Sequence, residues 1–367
     1  TFAITVGTVT DGTVTTDVAE AEAGATVTIT ATPAAGYALH EIYVDGAAIE
    51  GETFTVTGDH TVTAKFFKIT TFNGANVSMG NVLDMNFAIV TSKLTGLEGL
   101  YAKLTGPADD KIVPQADWVA EPSGNTTIYR FTYDGMAAKQ MGEEITVTIY
   151  NARGNAVTET WVDSMRDYVD RKIDANGTPA TLKTLFVDML NYGAVAQVQF
   201  NWKTDDLANN KLTEAQKAYG TTEMKACEDH RVKGTGYLGS NLVLESRISL
   251  QMAFSSTLKN RDIYAIVKLT HHNSEEETQV RIENKDIGID EKSGARVVRV
   301  EEIVAADGRQ LVTVELYDTA TNESLGGATD SIESYINRMA SGTSEWLKNI
   351  MIYSDSAYAY LHRNDKT

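Results

Sequence analysis

Ala25-Thr26-Val27-Thr28-Ile29-Thr30-Ala31-Thr32 alternates apolar and polar residues without a break. Successive side chains of a strand point to opposite faces, so this stretch predicts a half-buried strand with Val27 and Ile29 inside and the threonines in water. Working outward, Pro33-Ala34-Ala35-Gly36 reads as a turn and Leu39 to Val44 as a second strand. Asp45-Gly46 is a hairpin signal, and Phe54-Thr55-Val56-Thr57 with Val62-Thr63-Ala64-Lys65-Phe66 reads as a closing pair around Gly58-Asp59. Thr, Val, Ala and Gly dominate residues 1–68, where nine acidic residues face only Lys65 and Lys68. That composition separates them from the rest of the chain as a small all-β or β-grasp-like module.

The segments Gly24 to Pro33, Gly36-Tyr37, Val44-Asp45-Gly46, Thr55-Val56-Thr57 and Thr61 to Phe66 resemble the divergent internalin-type B repeat. The resemblance covers almost all of residues 1–68. It implies a small extracellular β module of the kind strung along surface proteins of Gram-positive bacteria as stalks or weakly adhesive spacers, with no specified ligand. Many members place Trp in the second strand, where this chain has Ile42-Tyr43. The difference changes the core filler.

Sliding the remainder of the chain against itself predicts an internal duplication. Lys103-Leu104-Thr105 lines up with Lys268-Leu269-Thr270 at an offset of 165, which also pairs Gly74 with Gly239, Asn76 with Asn241 and Met85 with Leu250. Thr148 to Asn151 matches Glu315 to Asp318 at 167, as do Ser164-Met165 to Tyr168-Val169 and Ser331-Ile332 to Tyr335-Ile336. Leu182-Lys183 returns to 165 against Leu347-Lys348. Each copy opens in strand-like alternation, with Leu83, Met85 and Phe87 opposite Val82, Asp84 and Asn86, and closes in two amphipathic helices. Val162, Met165, Tyr168, Val169 and Ile173 form one stripe, and Leu182, Leu185, Phe186, Met189 and Leu190 the next. Copy two repeats them with Ile332, Tyr335, Ile336 and Met339, then Leu347, Ile350 and Met351. Stripes of this kind read as core rather than as a cofactor box, each helix pair capping a sheet or sandwich edge. Between the copies, Thr213 and Gln216 fit a capping box opening a short helix that Gly220 stops.

The predicted fold class is therefore mainly β, α+β overall: a β-grasp-like module at 1–68, antiparallel β or sandwich domains at 69–198 and 239–367, each ending in two helices, and a partly helical linker at 199–238. Leu190 to Gln197 followed by Thr204 to Asn209 also resembles a recurrent unit of large secreted proteins of Gram-positive gut bacteria. That resemblance implies a location and no activity. The chain opens at Thr1 inside a strand-like run without an initiator Met, which reads as a piece of something longer.

With 32 basic and 50 acidic residues, a net charge of -18 opposes nucleic acid and anionic membrane surfaces. No apolar run reaches the roughly 20 residues of a membrane helix. Gly234-Thr235-Gly236-Tyr237-Leu238-Gly239 satisfies a dinucleotide-binding spacing, but a period-2 strand follows where that fingerprint needs a helix. His40-Glu41 lies on a predicted strand with Val44 where a second zinc ligand would stand, and His271-His272 enters a solvated acidic loop. Cys227 stands among Glu223, Glu228 and Asp229, which disfavour a thiolate. No catalytic, metal or cofactor residue is nominated.

Aromatic rings are the clue to glycan contact, since a flat ring stacks on a sugar at small entropic cost. Trp118 and Trp202 are the ligand-binding candidates. Trp118 is singled out because its repeat position at offset 165 is Glu283, and Trp202 is next to Asp205 and Asp206; packing is the competing role for both. The expected function is a non-catalytic extracellular protein, secreted or wall-attached, acting as an adhesin or a spacer toward a glycan or a host or cell-surface protein. The alternative is an ancillary carbohydrate-binding region of a larger secreted glycan-degrading enzyme.

Overall fold

A computed structural model describes residues 1–79, 83–245, 247–271, 277–339 and 344–364. The fold is mainly β, with small sheets of three to five strands. Val82 and His272, used in the reading above, lie outside the described residues. The chain divides into two compact units, one of residues 1–75, 86–133 and 145–163, the other of residues 76–85, 134–144 and 164–367.

The N-terminal module belongs to the first unit and is built from β1 (Phe2–Val6), β2 (Gly12–Thr16), β3 (Glu20–Ala21), β4 (Thr26–Pro33), β5 (Tyr37–Val44), β6 (Ala47–Ile49), β7 (Thr53–Thr55) and β8 (His60–Lys68). One sheet runs β3-β1-β8-β5-β6 and the other β2-β4-β7. Val27 and Ile29 on β4 are fully buried, and they meet Ile42, Val56 and Val62 in the core. Each such side chain contributes about 1.5–3 kcal/mol. β1 and β8 pair in parallel, and no helix forms within residues 1–68. Asp45 and Gly46, at φ 52° and 81°, make the two-residue turn that joins β5 to β6. The expected closing pair around Gly58-Asp59 is corrected: β7 pairs with β4, and β8 with β1 and β5. Val56, between β7 and β8, is buried in the core and its N–H donates to the Ala25 carbonyl at 2.9 Å, so this stretch stays with β4 rather than turning back on β8.

Two sets of sheets follow with one strand order. Ala120–Ser123, Thr126–Met136, Leu83–Val90 and Gly74–Met79 lie side by side, as do Gly288–Ile289, Arg296–Val300, Ile248–Phe254 and Tyr237–Leu244. Lys111–Pro114, Tyr101–Thr105, Ile145–Tyr150 and Trp161–Asp163 form a second sheet; Glu277–Ile282, Ile263–Thr270, Val312–Asp318 and Ser324–Asp330 form its like, extended by Val232–Lys233. Tyr101 pairs with Tyr150 and their rings stack at 5.4 Å; Tyr264 pairs with Tyr317 at 5.2 Å. Tyr264 therefore stands where Tyr101 does, and the alignment of Lys103 with Lys268 is two residues off. A slip of two returns every side chain to its own face, so the alternation could not reveal it.

The helices are α1 (Met165–Lys172), α2 (Ala180–Gln199), α3 (Glu214–Lys217), α4 (Ile332–Met339) and α5 (Glu345–Leu361). Thr213 and Gln216 form the capping box of α3. Ser164 accepts the Asp167 N–H at 3.0 Å and Ser331 the Ser334 N–H at 2.9 Å, which caps α1 and α4 alike. Val162 and Met339 do not belong to the buried stripes: Val162 lies on a strand, and the two are 49% and 50% exposed. Four residues of the second stripe, Leu185, Phe186, Met189 and Leu190, are buried, and Val187 and Asp188 are buried with them, so the middle of α2 is covered all round. Its cover includes α5, with Tyr192 stacked on Tyr353 at 5.5 Å.

Asp188, Asp307, Asp330 and Glu333 are carboxylates buried in this second unit, and two of them gather donors from distant parts of the chain. Asp330 receives both Arg338 guanidinium nitrogens at 3.0 and 2.6 Å, the Tyr237 hydroxyl at 2.9 Å and the Ser240 hydroxyl at 2.6 Å. Asp188, on α2, accepts the Thr221 N–H and hydroxyl, both at 2.8 Å, and the hydroxyl of Ser356 on α5. Burial pushes the Asp188 carboxyl above its ordinary range, against the opposing pull of these hydrogen bonds.

Replacing Arg338→Ala strands the Asp330 charge in the interior and is expected to cost about 3–5 kcal/mol in denaturant unfolding. Lys217→Ala breaks the exposed pair with Glu214, 45% and 90% exposed, and is expected to cost under about 0.5 kcal/mol. A raised native pKa at Asp188 means stability that is complete below the unfolded value near ~3.9 and lost as pH rises through the native one. Unfolding measured from acid to neutral pH should show this fall, and Asp188→Asn should flatten it.

Candidate functional site

Trp118 ends a 3-10 turn formed by Gln115–Asp117, between the strands Lys111–Pro114 and Ala120–Ser123 of two different sheets. Its ring meets Tyr129 and Phe131 edge to face, both at 5.1 Å, and its indole N–H donates to the Val113 carbonyl at 2.9 Å. The side chain is half-buried, between Ile112 and Val119, each 65% exposed. Gln115 accepts the Leu100 N–H and Asn284 the Ile263 N–H, and the N–H of Trp118 and of Ile287 each close the turn that follows. By local bonding it is Ile287, 4% exposed, rather than Glu283 that is placed like Trp118.

Trp202 lies beyond the end of α2, in the second unit. Its indole N–H donates to Glu143 Oε1 at 2.7 Å, and Lys139 Nζ stands 4.6 Å from the ring centre. The neighbouring Phe200 is 45% exposed, and Asn201 and Lys203 hold positive φ of 49° and 43°. The nearby acids do not serve the ring: Asp206 pairs with Arg166 at 2.6 Å. The two tryptophans thus belong to different compact units and different surroundings.

A groove of about 750 Å³ lies in the first unit, between β5, the β6 edge and the turn at 151–155. Leu39, Ile49, Glu41, Glu50, Glu52 and Arg153 line it. The Arg153 guanidinium donates to the carbonyls of Ile49 and Gly51, so its hydrogen bonds go to the backbone rather than into the groove. Three carboxylates on the wall favour a neutral or cationic occupant over an anionic one.

Other titratable groups have local roles. His271 Nδ1 lies 2.6 Å from Asp307 Oδ2, and Asp307 also accepts the Val304 N–H. Cys227 is pushed above the ordinary thiol value chiefly by burial; Arg309 opposes this, and Glu333 and Asp355 add to it. The neighbours that act on it are thus brought by the fold and differ from the acids beside it in sequence. His40 lies on β5, and Gly234 to Gly239 leads into the strand Tyr237–Leu244. Among the described residues no three His, Cys, Asp or Glu side chains are grouped to hold a metal ion, and no helix is long and apolar enough to cross a membrane.

Sequence reading missed the buried ion pair Asp330–Arg338. The signal was present in Asp163-Ser164-x3-Tyr168-x2-Arg171 and Asp330-Ser331-x3-Tyr335-x2-Arg338, whose outer residues flank the matched helix starts.

Residues 2–70 match the divergent InlB B-repeat domain. No curated protein matches the chain. Among solved structures, a cytokine receptor complex aligns at 7% identity and a TM-score of 0.18, over 71% of this chain and 97% of that one. A pullulanase from Anoxybacillus sp. LM18-11, complexed with maltotriose, aligns at 11% and 0.14, over 69% of this chain and 25% of its own. The FN1-FN3 domains of chicken CNTN1 align at 9% and 0.16, over 85% and 94%. Scores this low carry no argument about fold or function.

Replacing Trp118→Ala removes the ring that Tyr129 and Phe131 pack against and is expected to cost about 2–4 kcal/mol. A thermal melt should fall by several degrees, and Trp118→Phe should recover most of the loss.

Proposed function

We propose that this chain is a non-catalytic extracellular protein, secreted or attached to the cell wall, that acts as a spacer or adhesin displaying β domains. The observation that carries this reading is the B-repeat match at residues 2–70, a module placed ahead of further β domains in series. We take residues 69–198 and 239–367 as two copies of one domain joined by 199–238. The shared strand order, the two stacked tyrosine pairs and the two serine-capped helices support that layout. Its partner is a glycan or a protein at a cell surface, and the net charge of -18 disfavours sulfated or uronic-acid polymers.

A second reading, as the carbohydrate-binding accessory of a glycan-degrading enzyme, draws on the exposed Phe200 beside Trp202. An array of neutral, basic and sulfated glycans probed with wild type, Trp118→Ala and Trp202→Ala tests both. The spacer reading expects no hydrolysis of any glycan and no loss of signal specific to either ring. Binding lost in Trp202→Ala at an unchanged melting temperature would move the assignment to the second reading, and glycan cleavage by the wild type would overturn the non-catalytic one.

A further inference from the structure

The first β domain holds the B-repeat through a turn whose chemistry its second-domain counterpart lacks. Asn151 is buried, and its side-chain oxygen accepts the N–H groups of Arg153 and Asn155 at 3.1 and 2.9 Å. That fixes the amide so that its NH₂ points away from the turn and donates to the Leu39 carbonyl at 2.9 Å; the Asn155 amide donates to the same oxygen at 3.1 Å. Arg153 adds its bonds to the carbonyls of Ile49 and Gly51.

Those three carbonyls lie where the module's sheet is irregular or ends. The β5–β8 register shifts between Leu39 and Glu41, a bulge that interrupts the ladder beside Leu39. Ile49 ends β6, the edge strand of its sheet, and Gly51 follows it. The connection is bonded as well. Ile69 N–H donates to Gly36 within the module, while Thr70 N–H donates to Val157 at 3.0 Å and its carbonyl accepts the Glu159 N–H at 2.8 Å.

The corresponding turn of the second domain begins at Asp318, whose carboxylate accepts the Ala320 and Thr321 N–H groups at 3.1 and 3.2 Å and pairs with Arg261 at 2.9 Å. The turn starts alike but is one residue longer, since Asn151 N–H donates to Asn155 and Asp318 N–H to Glu323. Asp has no N–H to give a carbonyl, Ala320 stands in place of Arg153, and Glu323 stands in place of Asn155.

We propose that residues 151–155 are a docking element that recognises the bulge and sheet-edge carbonyls of a preceding B-repeat, with Asn151 and Arg153 as its determinants, and that the joint is therefore stiff. The second domain, lacking both, cannot take a B-repeat in this way. The inference goes beyond the spacer reading and does not depend on it.

The test uses the full chain with Cys227→Ser and nitroxide labels introduced through Thr32→Cys and Asn125→Cys. Wild type should give one narrow distance distribution by pulsed electron resonance. The double variant Asn151→Asp with Arg153→Ala, which introduces the Asp and Ala of the second domain's turn, should broaden it and raise amide exchange at Ile69 and Thr70 about tenfold or more. Continued protection at Val27 and Ile29 would show that the module remains folded; if it does not, Arg153→Ala alone is read in the same way. A broad wild-type distribution, or an unchanged one in the variant with a folded module, overturns the proposal.

Discussion

A backbone carbonyl taken from water must find a donor, and short sheets create this demand at both of their edges. Among the described residues no sheet has more than five strands, so a large share of the strands lie at an edge. The irregular segments are organised by that demand. Val232–Lys233 adds a strand to the edge formed by Ser324–Asp330, Thr70 bridges to Thr158, and the amides of Asn151 and Asn155 cover Leu39. Turns and connections that a sequence presents as filler thus complete the sheets.

The buried polar groups of the second unit follow the same accounting. Asp330 collects donors from Tyr237 and Ser240 on one strand and from Arg338 on α4, about a hundred positions apart and tied together by one carboxylate. Asp188 does the same for α2, α5 and the segment at Thr221, using hydroxyls and a backbone N–H. Its donors carry no charge, which is why burial dominates its titration. Arg309 extends the pattern, reaching Asp355 on α5 and Glu333 on α4. These ties are specific in geometry, whereas the apolar contacts around them are specific mainly in volume.

What could be read from the residues was what local chemistry decides. The alternation around Val27 and Ile29, the Asp45-Gly46 turn and the Thr213 capping box depend on neighbours within a few positions, and the structure has them as read. The role of Gly58-Asp59 was misread because it turns on a buried side chain, Val56, that meets its partners across the core. The setting of Trp118 against Glu283 rests on a constant offset, whereas the paired tyrosines and the Leu100–Gln115 and Ile263–Asn284 bonds place Ile287 like Trp118. The groove beside Arg153 joins residues more than a hundred positions apart, and no spacing rule reaches that far.

The parallel pairing of β1 with β8 has a mechanical meaning. These are the first and last strands of the module, with Ile4, Thr5 and Val6 beside His60, Thr61 and Val62. Tension drawing the start of β1 and the end of β8 apart would slide two parallel strands lengthwise past each other. Their hydrogen bonds would then carry the force together, whereas a hairpin pulled open at its ends gives them up one at a time. Rupture requires several bonds to fail at once, so resistance to pulling is set by the unfolding barrier and can exceed what the equilibrium stability of so small a module suggests.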